Sequence, residues 1–393
     1  MNTVPGFLAG AVSAGIKKDS GHDDFGLLYS KTPARAAAVF TTNVVKAAPV
    51  VVGMGRIRNG LCQAVVVNSG NANACTGQQG TLDAEETAAA VAVELGIDPS
   101  LVIPSSTGVI GVPLPMKQIK EAVPALVSSL REDGLEDFAR AITTTDGFPK
   151  FTSSTTKIGG KTGTVSVVGK GAGMIAPNMA TMLSFTLTDI DIAPSALKTA
   201  LKTVVEESYN KIIVDGDIST NDTALILSNG ALGNSPLKES GGDYTQLLEL
   251  LIELNTEIAT MIVRDGEGAT KVVKIVVKGA ASPTDAEKIA RAMGTSLLVK
   301  TALYGQDANW GRFVAAAGAA GVEFDPSRVD LYFDEHKMVE NGAQVLEESV
   351  VGRVFKKPEF TVTLDIKSGS STAHVITSDI THDYITLNAD YRT

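Results

Sequence analysis

The chain has 393 residues, of which 44% are hydrophobic and 20% are charged, as is typical of a globular protein with two or three lobes. The net charge of −10, without a basic patch, argues against nucleic acid as a partner. Two cysteines, Cys62 and Cys75, are too few for a disulfide framework, and the four histidines show no ligand spacing, so we expect no metal site.

The N-terminal residues lack the basic segment that precedes the apolar core of a signal peptide. No stretch of the sequence reaches the ~18 apolar residues that a membrane-spanning helix requires. We therefore expect a cytoplasmic protein.

The first hundred residues mix short strands with one long helix. Residues 50–52 are strand-like in composition, and a buried strand over residues 62–67 runs into the small polar loop 68–77, NSGNANACTG. Such a loop either bonds its own backbone as a long turn or forms the wall of a polar pocket, and the residues alone leave both readings open. An Ala-rich helix is predicted over residues 81–95.

A strand over residues 101–104 is followed by SSTGVIG, residues 105–111. Acyl transfer needs hydrogen-bond donors aimed at the oxygen that becomes negative in the tetrahedral intermediate. The Thr107 hydroxyl and the Gly108 N–H can supply two such donors from one turn. On its own, however, S-T-G is also typical of an ordinary turn.

Hydroxyl side chains also gather where the predicted helix over residues 135–142 ends. The sequence continues as Thr143-Thr144-Thr145-Asp146. These hydroxyls either cap the helix C-terminus or contribute to a binding site.

Residues 170–185 read KGAGMIAPNMATMLSF and form a glycine-rich loop, a tight turn and the start of a strand. Pro177 excludes a helix there. The spacing around Lys170 is not that of a phosphate-binding loop, but a lysine that enters a pocket can pair with a substrate carboxylate.

Thr181 follows this turn. A threonine hydroxyl is a poor nucleophile without an adjacent base, and one known solution uses the threonine's own free α-amino group. That solution requires a break between Ala180 and Thr181, which the same hydroxyl could make by attacking the Ala180 carbonyl. Taken alone, these residues favour an ordinary strand start.

Three later segments look unremarkable by themselves. The segment DGDISTNDT, residues 215–223, lacks the spacing of a calcium loop. Glu267 lies between two glycines, as in a solvated turn, and residues 388–393, NADYRT, look like a frayed terminus.

Taken together, these motifs resemble one family. The segment K-G-x-G-M-I-x-P-x-M-A-T-M-L is similar to the self-cleavage segment of the ornithine acetyltransferase (glutamate N-acetyltransferase) family. Five further motifs are also similar: N-x-G-N-A-N-A, S-T-G-V-I-G, T-T-D, D-G-E-G-A-T-K and the terminal N-x-x-Y-x-T. All six motifs occur along the chain in the family's order. One departure is Ala308, which stands where members usually have proline.

The resemblance implies roles for specific residues. The chain is expected to be cut between Ala180 and Thr181, with Thr181 as nucleophile and with Thr107 and Gly108 as the oxyanion hole. The residues expected to bind substrate are Thr145 (or Thr144, since this chain has one extra threonine), Lys170, Thr181, Glu267, Asn388 and Thr393.

The resemblance also implies an α/β fold. It is an αββα sandwich that outwardly resembles the N-terminal-nucleophile hydrolases, with a smaller C-terminal α/β lobe around residues 280–380. The expected fragments are residues 1–180 and 181–393, assembled as two copies of each.

The implied reaction transfers acetyl from N2-acetylornithine to glutamate through an acetyl-Thr181 intermediate, in arginine biosynthesis. No cofactor is expected, and the sequence leaves open whether acetyl-CoA serves as a co-substrate, as it does for some members. Two alternatives remain: a related amidase or aminopeptidase that releases the acyl group to water, and an uncleaved binding protein for acylated amino acids. Lys170, Glu267 and the C-terminal residues favour a zwitterionic amino acid as ligand.

Overall fold

A computed structural model of the chain describes residues 2–17, 21–176 and 182–390. Its strands are β1 Phe7–Val12, β2 Phe25–Phe40, β3 Leu61–Asn71, β4 Val102–Val109, β5 Lys150–Ile158, β6 Lys161–Lys170, β7 Leu183–Thr188, β8 Ile212–Ile213, β9 Thr223–Ser228, β10 Val272–Ala280, β11 Asp330–Phe333, β12 His336–Glu340, β13 Ala343–Gln344, β14 Glu359–Asp365 and β15 Ser371–Ser378. Its helices are α1 Ala48–Arg56, α2 Gly77–Leu95, α3 Met116–Ser128, α4 Leu135–Ala141, α5 Pro194–Glu207, α6 Gly242–Arg264, α7 Pro283–Thr295, α8 Leu297–Tyr304, α9 Trp310–Gly318, α10 Glu348–Val351 and α11 His382–Asp390.

The first sheet has the order β4-β3-β2-β9-β7-β6-β5, and β1 also pairs with β2. The pairs β3–β4 and β7–β9 are parallel, while the other pairs are antiparallel. Lys170 at the end of β6 pairs with Leu183 at the start of β7, and Leu183 pairs with Thr223 at the start of β9. Strands β6 and β7, which precede and follow residues 177–181, are therefore neighbours, and Lys170, Leu183 and Thr223 lie at the same end of the sheet.

The second sheet has the order β13-β12-β11-β14-β10-β15-β8 and comes mainly from the C-terminal third of the chain. Helices α7 and α9 cover it, and their apolar faces share one core with its strands. Phe313, Phe333 and Phe355 meet edge to face within this core. These features confirm the predicted α/β fold with two sheets, helix layers and a smaller C-terminal lobe.

Helices α5 and α6 join the two sheets. The buried residues of α6 recur at helical spacing, as in Leu247, Leu251, Leu254 and Ile258. They share a core with β2, β6 and β9 of the first sheet and with Val272 of the second. No helix in the described parts of the chain is long and apolar enough to cross a membrane.

The structure corrects one local prediction. Residues 50–52, expected to form a strand, lie in helix α1. Pro49 lies in the first turn of this helix, where the absent N–H costs nothing and the fixed φ suits a helix start. The proline therefore favours a helix start here, and the three valines that come after it are helical.

Candidate active site

One pocket brings together all the predicted site residues that lie in the described ranges. It is lined by Thr107, Gly108, Thr144, Thr145, Lys170, Glu267 and Asn388. The predicted residues Ala180, Thr181 and Thr393 lie outside the described residues. The pocket encloses about 190 Å³, which is less than the roughly 300–1,000 Å³ of drug-sized ligand sites and suits a ligand of amino-acid size. A cavity of about 290 Å³ beside β1 is larger, but none of these residues lines it.

The pairing of β3 with β4 places Thr107 and Gly108 at the pocket wall. Gly70 of β3 lies opposite Gly108, which has a φ of 130°. A Cβ atom on Gly108 would lie 2.3 Å from the backbone carbon of Gly70. No side chain fits at this position, which directly follows Thr107 in the chain.

Lys170 enters the pocket from the end of β6. Its Nζ donates to Thr144 Oγ1 at 2.8 Å and to Thr107 Oγ1 at 3.2 Å, and it lies 3.6 Å from Asp146 Oδ2. Burial lowers the pKa of Lys170, and the negative charge of Asp146 opposes that shift. Lys170 thus connects the two segments with clustered hydroxyl side chains, residues 105–111 and residues 143–146.

Asp146 organises the residues behind Lys170. Its Oδ1 accepts from Lys150 Nζ and from the Gly171 N–H, both at 2.7 Å, and its Oδ2 accepts from the Thr144 N–H at 3.0 Å. Lys150 also donates to Asp265 Oδ2 at 2.6 Å. The side chains of Asp146 and Lys150 are both fully buried.

The ionised state of this group follows from its charges. Burial by itself would raise the pKa of Asp146, but the charges of Lys170 and Lys150 outweigh it and hold that pKa well below its usual range. Asp146 is therefore a carboxylate between two buried lysines. The sequence places Asp146 next to the predicted threonines, but it does not indicate which lysines Asp146 contacts.

Glu267 and Asn388 contact each other at the pocket wall. Asn388 Nδ2, on α11, donates to Glu267 Oε2 at 2.7 Å, and the Glu267 N–H donates to the Ala172 carbonyl at 3.0 Å. A Cβ on Gly173 would lie 2.5 Å from the carboxyl carbon of Glu267. The glycine-rich loop therefore makes room for this carboxylate, and the C-terminal helix contacts it.

Helix α11 begins at an anchored turn. Thr381 Oγ1 donates to the Gly268 carbonyl at 2.8 Å and accepts from the Tyr384 N–H at 3.2 Å. Tyr384 also lines the pocket. The loop that carries Glu267 and the helix that carries Asn388 are thus held to each other.

Two aspartates of the segment 215–223 bind backbone on either side of residues 177–181. Asp215 accepts from the N–H groups of Met174 and Ile175 at 2.6 and 2.9 Å, and Asp222 Oδ1 accepts from the Met182 N–H at 3.1 Å. Burial raises the pKa of Asp215 to about 6 and raises that of Asp222 as well. Sequence reasoning missed these contacts because hydrogen bonds to backbone N–H groups leave no spacing signal.

The Asn-rich loop mainly bonds the backbone. Asn68 donates to the Asn71 carbonyl within the loop, as the turn reading expects. Asn71 and Asn73 donate to the carbonyls of Val112 and Gly80 outside it, and Ala72 lines the pocket. Asn221 donates to the carbonyls of Ala72 and Ser106 at 2.7 and 2.8 Å, and so ties this loop to β4. No group of three or more potential metal ligands occurs within the residues that the structure describes.

Comparison with known proteins identifies the family. The model of the ArgJ family matches residues 8–393. This chain belongs to the ArgJ family. The ArgJ relatives include the arginine biosynthesis bifunctional proteins of Geobacter sulfurreducens, 50% identical over 99% of this chain and 100% of the relative, and of Symbiobacterium thermophilum, 47% identical over 100% and 98%.

A crystal structure of the ArgJ protein of Bacillus halodurans is also similar, with a TM-score of 0.52 and 34% identity over 54% of this chain and 100% of that one. ArgJ membership confirms the resemblance seen in the sequence. It makes this chain an enzyme of arginine biosynthesis.

Proposed function

We propose that this chain cuts itself between Ala180 and Thr181 and then transfers acetyl from N2-acetylornithine to glutamate through an acetyl ester on Thr181. The observation that carries the proposal is the pocket, because predicted residues from five separate parts of the sequence line it together. The relatives are named as arginine biosynthesis bifunctional proteins, which supports a reaction in that pathway.

The chemistry takes place in two steps. The Thr181 hydroxyl attacks the acetyl carbonyl while its α-amino group, with an ordinary pKa near ~7.7–8.0, accepts the proton. The Thr107 hydroxyl and the Gly108 N–H stabilise the oxyanion, and ornithine leaves with the proton. The amine of glutamate then attacks the acetyl ester, and N-acetylglutamate and free Thr181 result. The protein itself carries the acetyl group, so the cycle needs no cofactor.

The pocket also fits the charges of the substrates. Glu267 offers a carboxylate to the side-chain ammonium of acetylornithine, and the hydroxyls next to Lys170 offer donors to its oxygens. We further propose that the second activity of this bifunctional family is acetylation of glutamate from acetyl-CoA. The fragments 1–180 and 181–393 would assemble as two copies of each in the cytoplasm, which native mass spectrometry and cell fractionation can check.

An assay with purified enzyme tests the proposed transfer. Acetylornithine is supplied with and without glutamate, and ornithine, N-acetylglutamate and acetate are measured. We expect ornithine and N-acetylglutamate in equal amounts only when glutamate is present. Rapid release of acetate that does not depend on glutamate would instead identify a hydrolase. Acetyl-CoA with glutamate, in a parallel reaction, tests the second activity.

Glu267→Gln is expected to raise the KM for acetylornithine about 10–100-fold, because the amide keeps the shape but loses the charge-assisted bond to the ammonium, worth roughly 1.5–3 kcal/mol. The kcat should change little. Glu257→Gln is the matched control, since Glu257 lies on the exposed side of α6 and contacts Thr152. An unchanged KM in Glu267→Gln would place the ammonium elsewhere.

A further inference from the structure

The contacts of Lys170 fix the direction of two hydrogen bonds. A lysine ammonium has three donors and no acceptor. At 3.2 Å from Thr107 Oγ1 and 2.8 Å from Thr144 Oγ1, it can only donate to them. Each threonine oxygen therefore accepts, and each hydroxyl proton points away from the lysine.

Those two protons are available to a ligand. Both threonines line the pocket, and neither hydroxyl donates to another group among the residues that the structure describes. Thr107 is followed directly by Gly108, whose backbone N–H is the second predicted oxyanion donor. A cation behind the Thr107 oxygen also makes its hydroxyl a stronger donor, because hydrogen bonds in a chain polarise one another.

The lysine is held in this position from behind. Its side chain is 4% exposed, and Asp146 lies 3.6 Å away as a buried carboxylate. Asp146 is itself fixed by Lys150 and by the N–H groups of Gly171 and Thr144. This leaves Lys170 little freedom to leave the hydroxyls when a substrate enters.

We propose that Lys170 is a positioning residue for acetyl transfer, which acts through Thr107 by turning and polarising its hydroxyl as an oxyanion donor. Asp146 holds the lysine for this purpose. The inference rests on the proposed function and differs from the role that the family resemblance implies, which is direct binding of substrate. The two roles predict different kinetics, since a substrate contact changes KM and an oxyanion donor changes kcat.

A double-mutant cycle separates them. Lys170→Met, Thr107→Val and the double variant are assayed for acetyl transfer. Each single change is expected to lower kcat about 10²–10³-fold, as loss of one oxyanion donor does. When Lys170→Met is added to Thr107→Val, we expect kcat to fall by less than about 3-fold relative to Thr107→Val alone. An equal loss in both backgrounds, or a loss confined to KM, would overturn the inference.

Two controls accompany the cycle. Thr144→Val also removes a hydroxyl that accepts from Lys170, but this hydroxyl is not a predicted oxyanion donor. Adding Lys170→Met to Thr144→Val should therefore lower kcat by the same factor of about 10²–10³ as in the wild-type enzyme. Lys367→Met removes a lysine bonded to Asp330 and Asn341, none of which lines the pocket, and should keep kcat within about 3-fold.

The assays distinguish failure of the proposed function from failure of the role proposed for Lys170. A wild-type enzyme that transfers no acetyl group defeats the proposed function. A wild-type enzyme that transfers acetyl while the cycle shows no coupling defeats only the role of Lys170. Any variant that stays uncut is scored by the rate at which its precursor cleaves, because that step also needs attack of the Thr181 hydroxyl on a carbonyl.

Discussion

Thr181→Ala is expected to remain one polypeptide of 393 residues and to lose acetyl transfer by at least about 10³-fold. The change removes the hydroxyl that is proposed both to cut the chain and to carry the acetyl group. Without the cut, no free α-amino group exists at residue 181 to accept a proton. A denaturing gel and an ornithine-release assay on the same preparation measure both losses.

Two variants control this experiment. Thr181→Ser keeps a hydroxyl and is expected to be cut and to retain part of the activity. Thr186→Ala removes a buried threonine hydroxyl from β7, next to Asn255 and not among the pocket-lining residues, and should be cut normally. Substantial transfer by uncut Thr181→Ala would move the nucleophile to another residue.

Asp146→Asn is expected to destabilise the protein by about 3–5 kcal/mol, because it leaves two buried lysines without their shared carboxylate. It should also lower acetyl transfer, since Lys170 and Thr144 both lose a partner that fixes them. Urea unfolding at pH 7 measures the first effect, and kcat measured on the folded fraction gives the second.

The difference in the free energy of unfolding between wild type and Asp146→Asn should depend on pH in a defined direction. Lys170 and Lys150 hold the pKa of folded Asp146 below its unfolded value of about 3.9, so its stabilisation is fully present above that pH. It is lost as the pH falls toward the folded pKa. The stability gap between wild type and Asp146→Asn should therefore be present at about pH 5 and shrink below about pH 4. A gap that widened on acidification would contradict the ion pair.

Asp330→Asn is the matched control for this variant. Asp330 also lies between two lysines, Lys337 and Lys367, but in the second sheet and away from the pocket. Its lysines are 33% and 28% exposed, so its loss should cost less stability. Acetyl transfer per folded molecule should be unchanged.

The sequence predicted those parts of the molecule that repeat or match a pattern. The spacing of leucines and isoleucines predicted α6. The motif residues Thr107, Lys170, Glu267 and Asn388 were identified from resemblance, although they are far apart in the chain, and the structure brings them into one pocket. Local composition could not have assembled them.

The remaining parts depend on contacts between distant residues. Lys150 meets Asp265 across 115 positions, and Thr270 meets Asp379 across 109, so no local spacing signals either pair. The direction of the Lys170–Thr107 bond likewise needs coordinates, because the sequence says only that a lysine and a threonine exist. The strand prediction for residues 50–52 was wrong because a short apolar run does not by itself distinguish a strand from a helix.

The central claim, self-cleavage ahead of Thr181, is tested most directly by intact mass measurement of purified, fully active enzyme under denaturing conditions. The account predicts two fragments, residues 1–180 and residues 181–393, with threonine at the new N-terminus. A single species at the full 40.8 kDa in a preparation with undiminished acetyl transfer would contradict it.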